Sequence, residues 1–286
     1  MSEPGQPETN REPSRTAAGV AWLRAAHQLV DGQPRILDDP IAPLLLGARG
    51  RQAITDRRAE LFTPGALGLR AHVLLRSRFA EDQLALAVSA GIRQYVILGA
   101  GLDTFGYRQP EWASSAEPAL GIFEVDQPAS QLVKRDRVAA AELTPPSNLT
   151  YAAIDFEHEP LLGGLARTGV DIHRPAFFSW LGVSMYLTRE AVGAVLRAVA
   201  AFPPSTQLVF TFAQPRGAGP SLADRAAQVG EPWLSFFEPA ELEQLLRDSG
   251  FTTCTFLDPT AAAEYFIGRT DSLAPPRRIS IATATV

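Results

Sequence analysis

Two glycines, two aspartates and the gaps between them carry the first chemical suggestion in this chain of 286 residues. Gly99-Ala100-Gly101 follows directly on the apolar run Tyr95-Val96-Ile97-Leu98. A buried strand would therefore lead into a turn that can approach a ligand with no side chain in the way. Asp126 lies 25 residues beyond Gly101, at the end of the next apolar stretch. A carboxylate there can accept hydrogen bonds from both hydroxyls of a ribose. Asp155 ends a third such stretch, where it could reach the amino group of an adenine. Thr104 stands where a dinucleotide fingerprint would have its third glycine, so the loop suits a nucleoside cofactor without phosphates better. The competing structural reading makes the glycines a plain turn and the aspartates helix caps.

Groups able to move a proton are few. His72 and His158 are candidate general bases, and Tyr186, just after the fourth strand, is a candidate acceptor-side group. The four histidines are isolated and Cys254 is the single cysteine, so neither a metal site nor an internal disulfide is expected. A net charge of -5 with scattered arginines leaves no footprint for nucleic acid. Residues 1–14 are rich in Pro, Glu, Gln and Ser and predict a disordered lead-in rather than a signal peptide. The run from Ala176 to Leu187 is too short to span a bilayer and holds two serines. The expectation is a reduced, cytoplasmic protein without membrane contact.

Positioning the aspartates requires strands that end on one edge. The pattern predicts strands at 94–98, 120–125, 149–154, 176–182, 207–212, 251–257 and 279–285. Helices are predicted at 16–30, at 38–46 with Gly47 as its stop, at 65–90 ending on Gly91, and at 127–142. Thr188 is the expected N-cap of the next helix, and Pro239 the N1 residue of a later one stopped by Gly250. Alternation of this kind argues for a doubly wound α/β sheet with its ligand at the switch point. The expected organisation is a tail (1–14), an N-terminal helical cap (15–92), and a core (93–286) with an acceptor-side insertion at 214–238.

Several motifs together carry a resemblance. Arg76-Ser77-Arg78-Phe79-Ala80-Glu81-Asp82, Gly99-Ala100-Gly101-Leu102-Asp103-Thr104 and Glu124-Val125-Asp126-Gln127-Pro128 resemble the leucine carboxyl methyltransferase family, in its bacterial branch. So do Thr16-Ala17-Ala18-Gly19-Val20-Ala21 with Arg24-Ala25, Asp38-Asp39-Pro40, Met185-Tyr186-Leu187 and Gly230-Glu231-Pro232-Trp233. The resemblance implies a Rossmann-like class I methyltransferase with an antiparallel last strand, and S-adenosyl-L-methionine as cofactor. It implies that Arg78 pairs with the methionine carboxylate, that Asp103 meets the amino group, and that Asp126 holds the ribose. Asp155 and Phe156 would contact adenine, with Gly99, Ala100, Gly101, Gln127 and Leu181 completing the cofactor set. The chain departs from the family at Leu181, where Glu is frequent, and at Phe105, where Arg is favoured.

The resulting expectation is an O-methyltransferase acting on a carboxylate or hydroxyl of a small molecule, in secondary metabolism. Trp22, Tyr186, Trp233 and Tyr265 are the expected acceptor-pocket residues. Two other readings stand beside it: a non-catalytic cofactor-binding protein, and a nicotinamide-dependent oxidoreductase. The latter would need a third glycine and a catalytic Tyr-Lys pair.

Overall fold

The computed structural model describes residues 15–156, 158–215, 222–228 and 230–286. The expected tail at 1–14, and residues 216–221 and 229 of the expected insertion, lie outside that set. Five helices precede the first strand: α1 (Arg15–Val30), α2 (Ile41–Leu45), α3 (Gly47–Asp56), α4 (Arg58–Leu61) and α5 (Pro64–Ser89). Then follow β1 (Gln94–Leu98), α6 (Phe105–Arg108), α7 (Glu111–Ser114), β2 (Gly121–Asp126), α8 (Pro128–Ala140), β3 (Leu149–Ala153) and α9 (Leu161–Arg167). The chain continues through β4 (Phe177–Trp180), α10 (Arg189–Ala200), β5 (Gln207–Thr211), α11 (Leu222–Gln228), α12 (Pro239–Ser249), β6 (Thr253–Phe256), α13 (Pro259–Glu264) and β7 (Ile281–Thr285).

The seven strands form one sheet in the order β3-β2-β1-β4-β5-β7-β6. The first five are mutually parallel, and β7 runs antiparallel to both β5 and β6. β1 sits centrally, with Val96 opposite Phe123 on one side and Phe178 on the other. Its residues alternate between two cores, as a pleated strand requires. Val96 and Leu98 join Val125, Phe178, Trp180 and Phe210 beneath α10 and α12. Tyr95 and Ile97 join Ile122, Phe177 and Val209 against Leu74, Leu75 and Phe79 of α5. Burying such a side chain contributes about 1.5–3 kcal/mol, so the central strand is fixed from both faces.

The predicted strands all form, and several helix ends follow local chemistry. The Thr188 side chain accepts from the Ala191 amide at 3.2 Å at the start of α10. Gly250, at φ 110°, stops α12 in the left-handed conformation. The segment expected as one helix over 38–46 is shorter: Leu46 separates α2 from α3, and Gly47, at φ 68°, opens α3 rather than ending the helical stretch. Helices α1 to α4 enclose a small third core of Ala25, Ala26, Ala42, Ile54 and Leu61, with Trp22 packed against it. The layer is bolted to α5 by Arg70, fully buried and bidentate to Asp31 at 2.8 Å through both Nε and Nη2.

Candidate functional site

Sheet order reverses between β1 and β4, and the crevice outside their carboxyl ends is the switch point where open α/β sheets bind ligands. A cavity of about 800 Å³ lies there, within the usual range for small-molecule sites, roughly 300–1,000 Å³. Its floor is Gly99 to Asp103 after β1, Asp126 and Gln127 after β2, Asp155 and Phe156 beyond β3, and Leu181 to Val183 after β4. Four strand ends, far apart in sequence, therefore deliver the predicted residues to one place. α1 forms a roof with Thr16, Ala17, Val20 and Arg24, and Tyr186, Gln228, Glu231, Pro232 and Leu234 close the remaining side.

Close backbone approach explains the glycines. Gly99 sits at φ 66°, and a Cβ there would fall 2.3 Å from Val183 Cγ2, on the turn after β4. Gly182 sits at φ 77°, and a Cβ there would fall 2.5 Å from Arg76 Nη1. The two turns thus meet backbone to side chain, with the Arg76 guanidinium lying against Gly182. The Gly182 amide donates to Thr211 Oγ1 and the Ser184 hydroxyl to the Thr211 carbonyl, each at 2.7 Å, which fixes this turn to β5.

The cleft is lined by Arg76 and not by Arg78, the arginine expected there. Two residues apart on α5, they point about 160° apart around the helix axis. Arg78 is on the exposed face, paired with Asp82 at 2.8 Å, and lines a separate, smaller depression rather than the cleft. Arg76 is buried in the cleft wall, its Nε has no hydrogen-bond partner, and burial lowers its pKa to about 10. The sequence did hold a signal: Arg76 falls in register with the apolar residues Val73 and Ala80, whereas Arg78 has its carboxylate partner at i+4.

The acidic residues are held differently from one another. Both Asp126 oxygens accept backbone amides, from Gly101 and, at 2.8 Å, from Gln127. Burial pushes the Asp126 carboxyl up, and those amides oppose it. Asp103 accepts from the Phe105 amide at 2.8 Å. Burial raises its carboxyl too, but the charges of Arg24, Lys134 and Arg108 with the Phe105 amide outweigh it and hold it below its ordinary range. Arg76 and Asp103 are close enough to influence one another electrostatically, so the cleft offers a cation and an anion together. Asp155 lies 3.0 Å from His158 Nδ1.

The candidate bases fare poorly. His72 is not a lining residue, and burial with repulsion from Arg76 lowers its pKa to about 3, leaving a neutral and weakly basic imidazole. His158 is 64% exposed on the outer side of Asp155. No histidine, lysine or cysteine is among the described residues lining the cleft. Tyr186 does line it, edge-on to Trp233 with ring centres 6.5 Å apart. Trp233 stands behind Tyr186 and is not itself a lining residue. Two expected pocket residues are elsewhere: Trp22 serves the third core beneath the Arg57 guanidinium, and Tyr265 packs beside Asp82 on the far side of α5. Trp22 is displaced because a helical layer with its own core needs a large apolar side chain. Phe105, where an arginine is favoured, is 1% exposed and edge-on to Tyr95 at 5.0 Å. A turn later, Arg108 binds both oxygens of Glu81.

A nucleoside bearing an amino acid would meet Arg76 with its carboxylate, Asp103 with its ammonium, Asp126 with its ribose and the Asp155–Phe156 end with its base. The orphaned Nε of Arg76 in the cleft wall is the observation that fits such a group. The crystal structure of "a putative methyltransferase from Thermobifida fusca YX" aligns with a TM-score of 0.58 at 20% identity, over 96% of this chain and 94% of that one. At that identity the likeness bears on the fold alone, a mixed α/β sheet that is mostly parallel with antiparallel last strands. The family model described as leucine carboxyl methyltransferase matches residues 17–200. The Bacillus subtilis (strain 168) protein named "Putative S-adenosyl-L-methionine-dependent methyltransferase YktD" is 33% identical over 92% of this chain and 94% of its own. A similarly named protein of Mycolicibacterium paratuberculosis is 29% identical over 90% of this chain and 83% of its own. The chain belongs to the leucine carboxyl methyltransferase family and is an S-adenosylmethionine-dependent methyltransferase.

Proposed function

We propose that the protein transfers a methyl group to an oxygen, a carboxylate or hydroxyl, of a small molecule of secondary metabolism, in the cytoplasm. The observation that carries the oxygen assignment is Arg76 beside Tyr186 in a cleft whose described lining holds no imidazole, amine or thiol base. An acceptor that is already an anion, or a phenol or alcohol activated at Tyr186, suits such a wall. A group needing a strong base does not. The bound cofactor supplies an electrophilic sulfonium methyl for in-line displacement. The chain's own part is to bind, align and exclude water.

In this reading Arg76 holds the cofactor's carboxylate with its planar fork, a task to which guanidinium geometry is suited. Asp103 faces the ammonium. Asp126, held by two amides, presents its carboxylate to the ribose, while Asp155 and Phe156 take the base. Tyr186 and Leu234 face the acceptor, and Trp233 braces Tyr186 from behind. The Leu234 and Ser235 amides both donate to the Met185 carbonyl, at 2.7 and 3.2 Å, so this wall moves as one with the Tyr186 turn. No helix among the described residues is long and apolar enough to cross a membrane.

The test is a panel of small carboxylic acids, phenols and alcohols, with demethylated cofactor as the readout. Turnover on an oxygen acceptor, reduced in Tyr186→Phe when the acceptor is a hydroxyl, is the expected result. Cofactor binding with no turnover on any member would sink the oxygen-acceptor assignment.

A further inference from the structure

One buried side chain joins the roof of the cleft to its floor. Arg24 belongs to α1, whose cleft-facing residues 17, 20 and 24 follow helical spacing, yet its partners come from two other segments. Its guanidinium donates to the Leu102 carbonyl, and lies 3.5 Å from the Asp103 carboxylate and 3.4 Å from that of Asp39. Only 3% of Arg24 is exposed, and its Nε has no hydrogen-bond partner. Leu102 and Asp103 are the two residues after Gly101, so Arg24 grips the turn where a cofactor's amino-acid end would lie. The contact is close: a Cβ on Gly101 would fall 3.1 Å from Ala17 Cβ. Arg108 holds the same turn from below, 3.3 Å from Thr104 Oγ1 and 3.9 Å from Asp39. At its outer end α1 is held by Glu231, whose carboxylate accepts the Thr16 hydroxyl and, at 3.2 Å, the Thr16 amide.

We propose that Arg24 is a positioning residue for the cofactor turn, and that through it the docking of α1 and the binding of S-adenosylmethionine form one linked equilibrium. The inference rests on the cofactor reading above. Removing the cation takes away the guanidinium between the carboxylates of Asp39 and Asp103 and the donor to the Leu102 carbonyl, which Arg108 compensates only in part, so the turn reorients and Asp103 no longer faces the ligand. In reverse, a ligand that holds Asp103 and Gly101 in place holds the partner of Arg24, and so holds α1. Linkage makes the two effects equal in size.

Two measurements test it, both using S-adenosylhomocysteine on the full chain. In the wild type, saturating ligand should slow amide exchange across residues 20–28 by roughly 5–150-fold, the range of ordinary coupling, with no such change from NAD. In Arg24→Gln, calorimetry should show at least tenfold weaker binding, and the ligand should no longer protect α1. Arg24→Lys, which keeps the charge but loses the fork, should recover part of both. A merely structural arginine would lower the melting temperature without making α1 protection depend on ligand. Wild-type binding with unchanged protection at 20–28, or tight binding by Arg24→Gln, overturns the inference. If Arg24→Gln does not fold, the wild-type exchange measurement alone decides. A folded wild type that does not bind S-adenosylhomocysteine overturns the cofactor reading itself, and the inference with it.

Discussion

At the scale of single residues the protein turns on which charged groups face the cleft. Arg76 and Arg78 have the same chemistry and opposite surroundings, so they should separate cleanly in binding. Arg76→Met should weaken S-adenosylhomocysteine by about 10–100-fold, since a hydrogen-bonded charged contact contributes about 1.5–3 kcal/mol. Arg78→Met removes only a surface pair with Asp82 and should stay within about twofold, as exposed ion pairs contribute about 0–1 kcal/mol. Equal losses in calorimetry would mean that Arg76 is not the carboxylate partner. Asp126→Ala should cost at least tenfold for the same reason, and an unchanged affinity would remove the ribose from that carboxylate.

At the scale of elements the site is a meeting of turns, and the turns tolerate little. Gly99→Ala combines a left-handed φ of 66° with a Cβ driven 2.3 Å from Val183. A loss of roughly 1–3 kcal/mol in urea unfolding is expected, together with loss of ligand binding. Wild-type stability would show that the two turns can part without cost. In the helical layer, Arg70→Met leaves Asp31 buried without its bidentate partner, although His27 Nδ1 remains 2.9 Å away. Breaking a buried pair in this way costs about 3–5 kcal/mol, readable as a lowered urea midpoint. Much of this level was legible from sequence, because a strand end, a Thr or Asp cap and a left-handed glycine are decided within a few residues. The short helices α3, α4, α6, α7, α9, α11 and α13 were not, since each is held by what it packs on rather than by an extended periodic face.

For the whole molecule, ligand and proton should both move stability. S-adenosylhomocysteine at 100 times its dissociation constant should add about 2.7 kcal/mol to unfolding, raising the melting temperature where NAD does not. An equal shift with NAD would contradict the cofactor assignment. His72 supplies a pH test. Unfolded it titrates near 6.5, and folded only near 3, because burial and Arg76 disfavour its charge. Its contribution is therefore complete above pH 6.5 and is lost as pH falls toward 3. The stability of the wild type relative to His72→Gln should decline below pH 6.5 by at most about 1.4 kcal/mol per pH unit. Urea unfolding of both proteins at pH 7 and pH 5 reads this directly, and a pH-independent difference would show that His72 protonates freely in the fold.

The sequence by itself determined the strand-and-turn framework, the absence of a third glycine at Thr104, and the aspartates at the strand ends, because these features depend on neighbours in the chain. It also carried the family, through motifs spread over most of its length. Tertiary structure alone decided that Trp22 and Tyr265 belong to other cores, and that α1 lies over the turn after β1 with Arg24 between Asp39 and Asp103. A helix turns about 100° with each residue, and only packing on the sheet fixes which direction is inward.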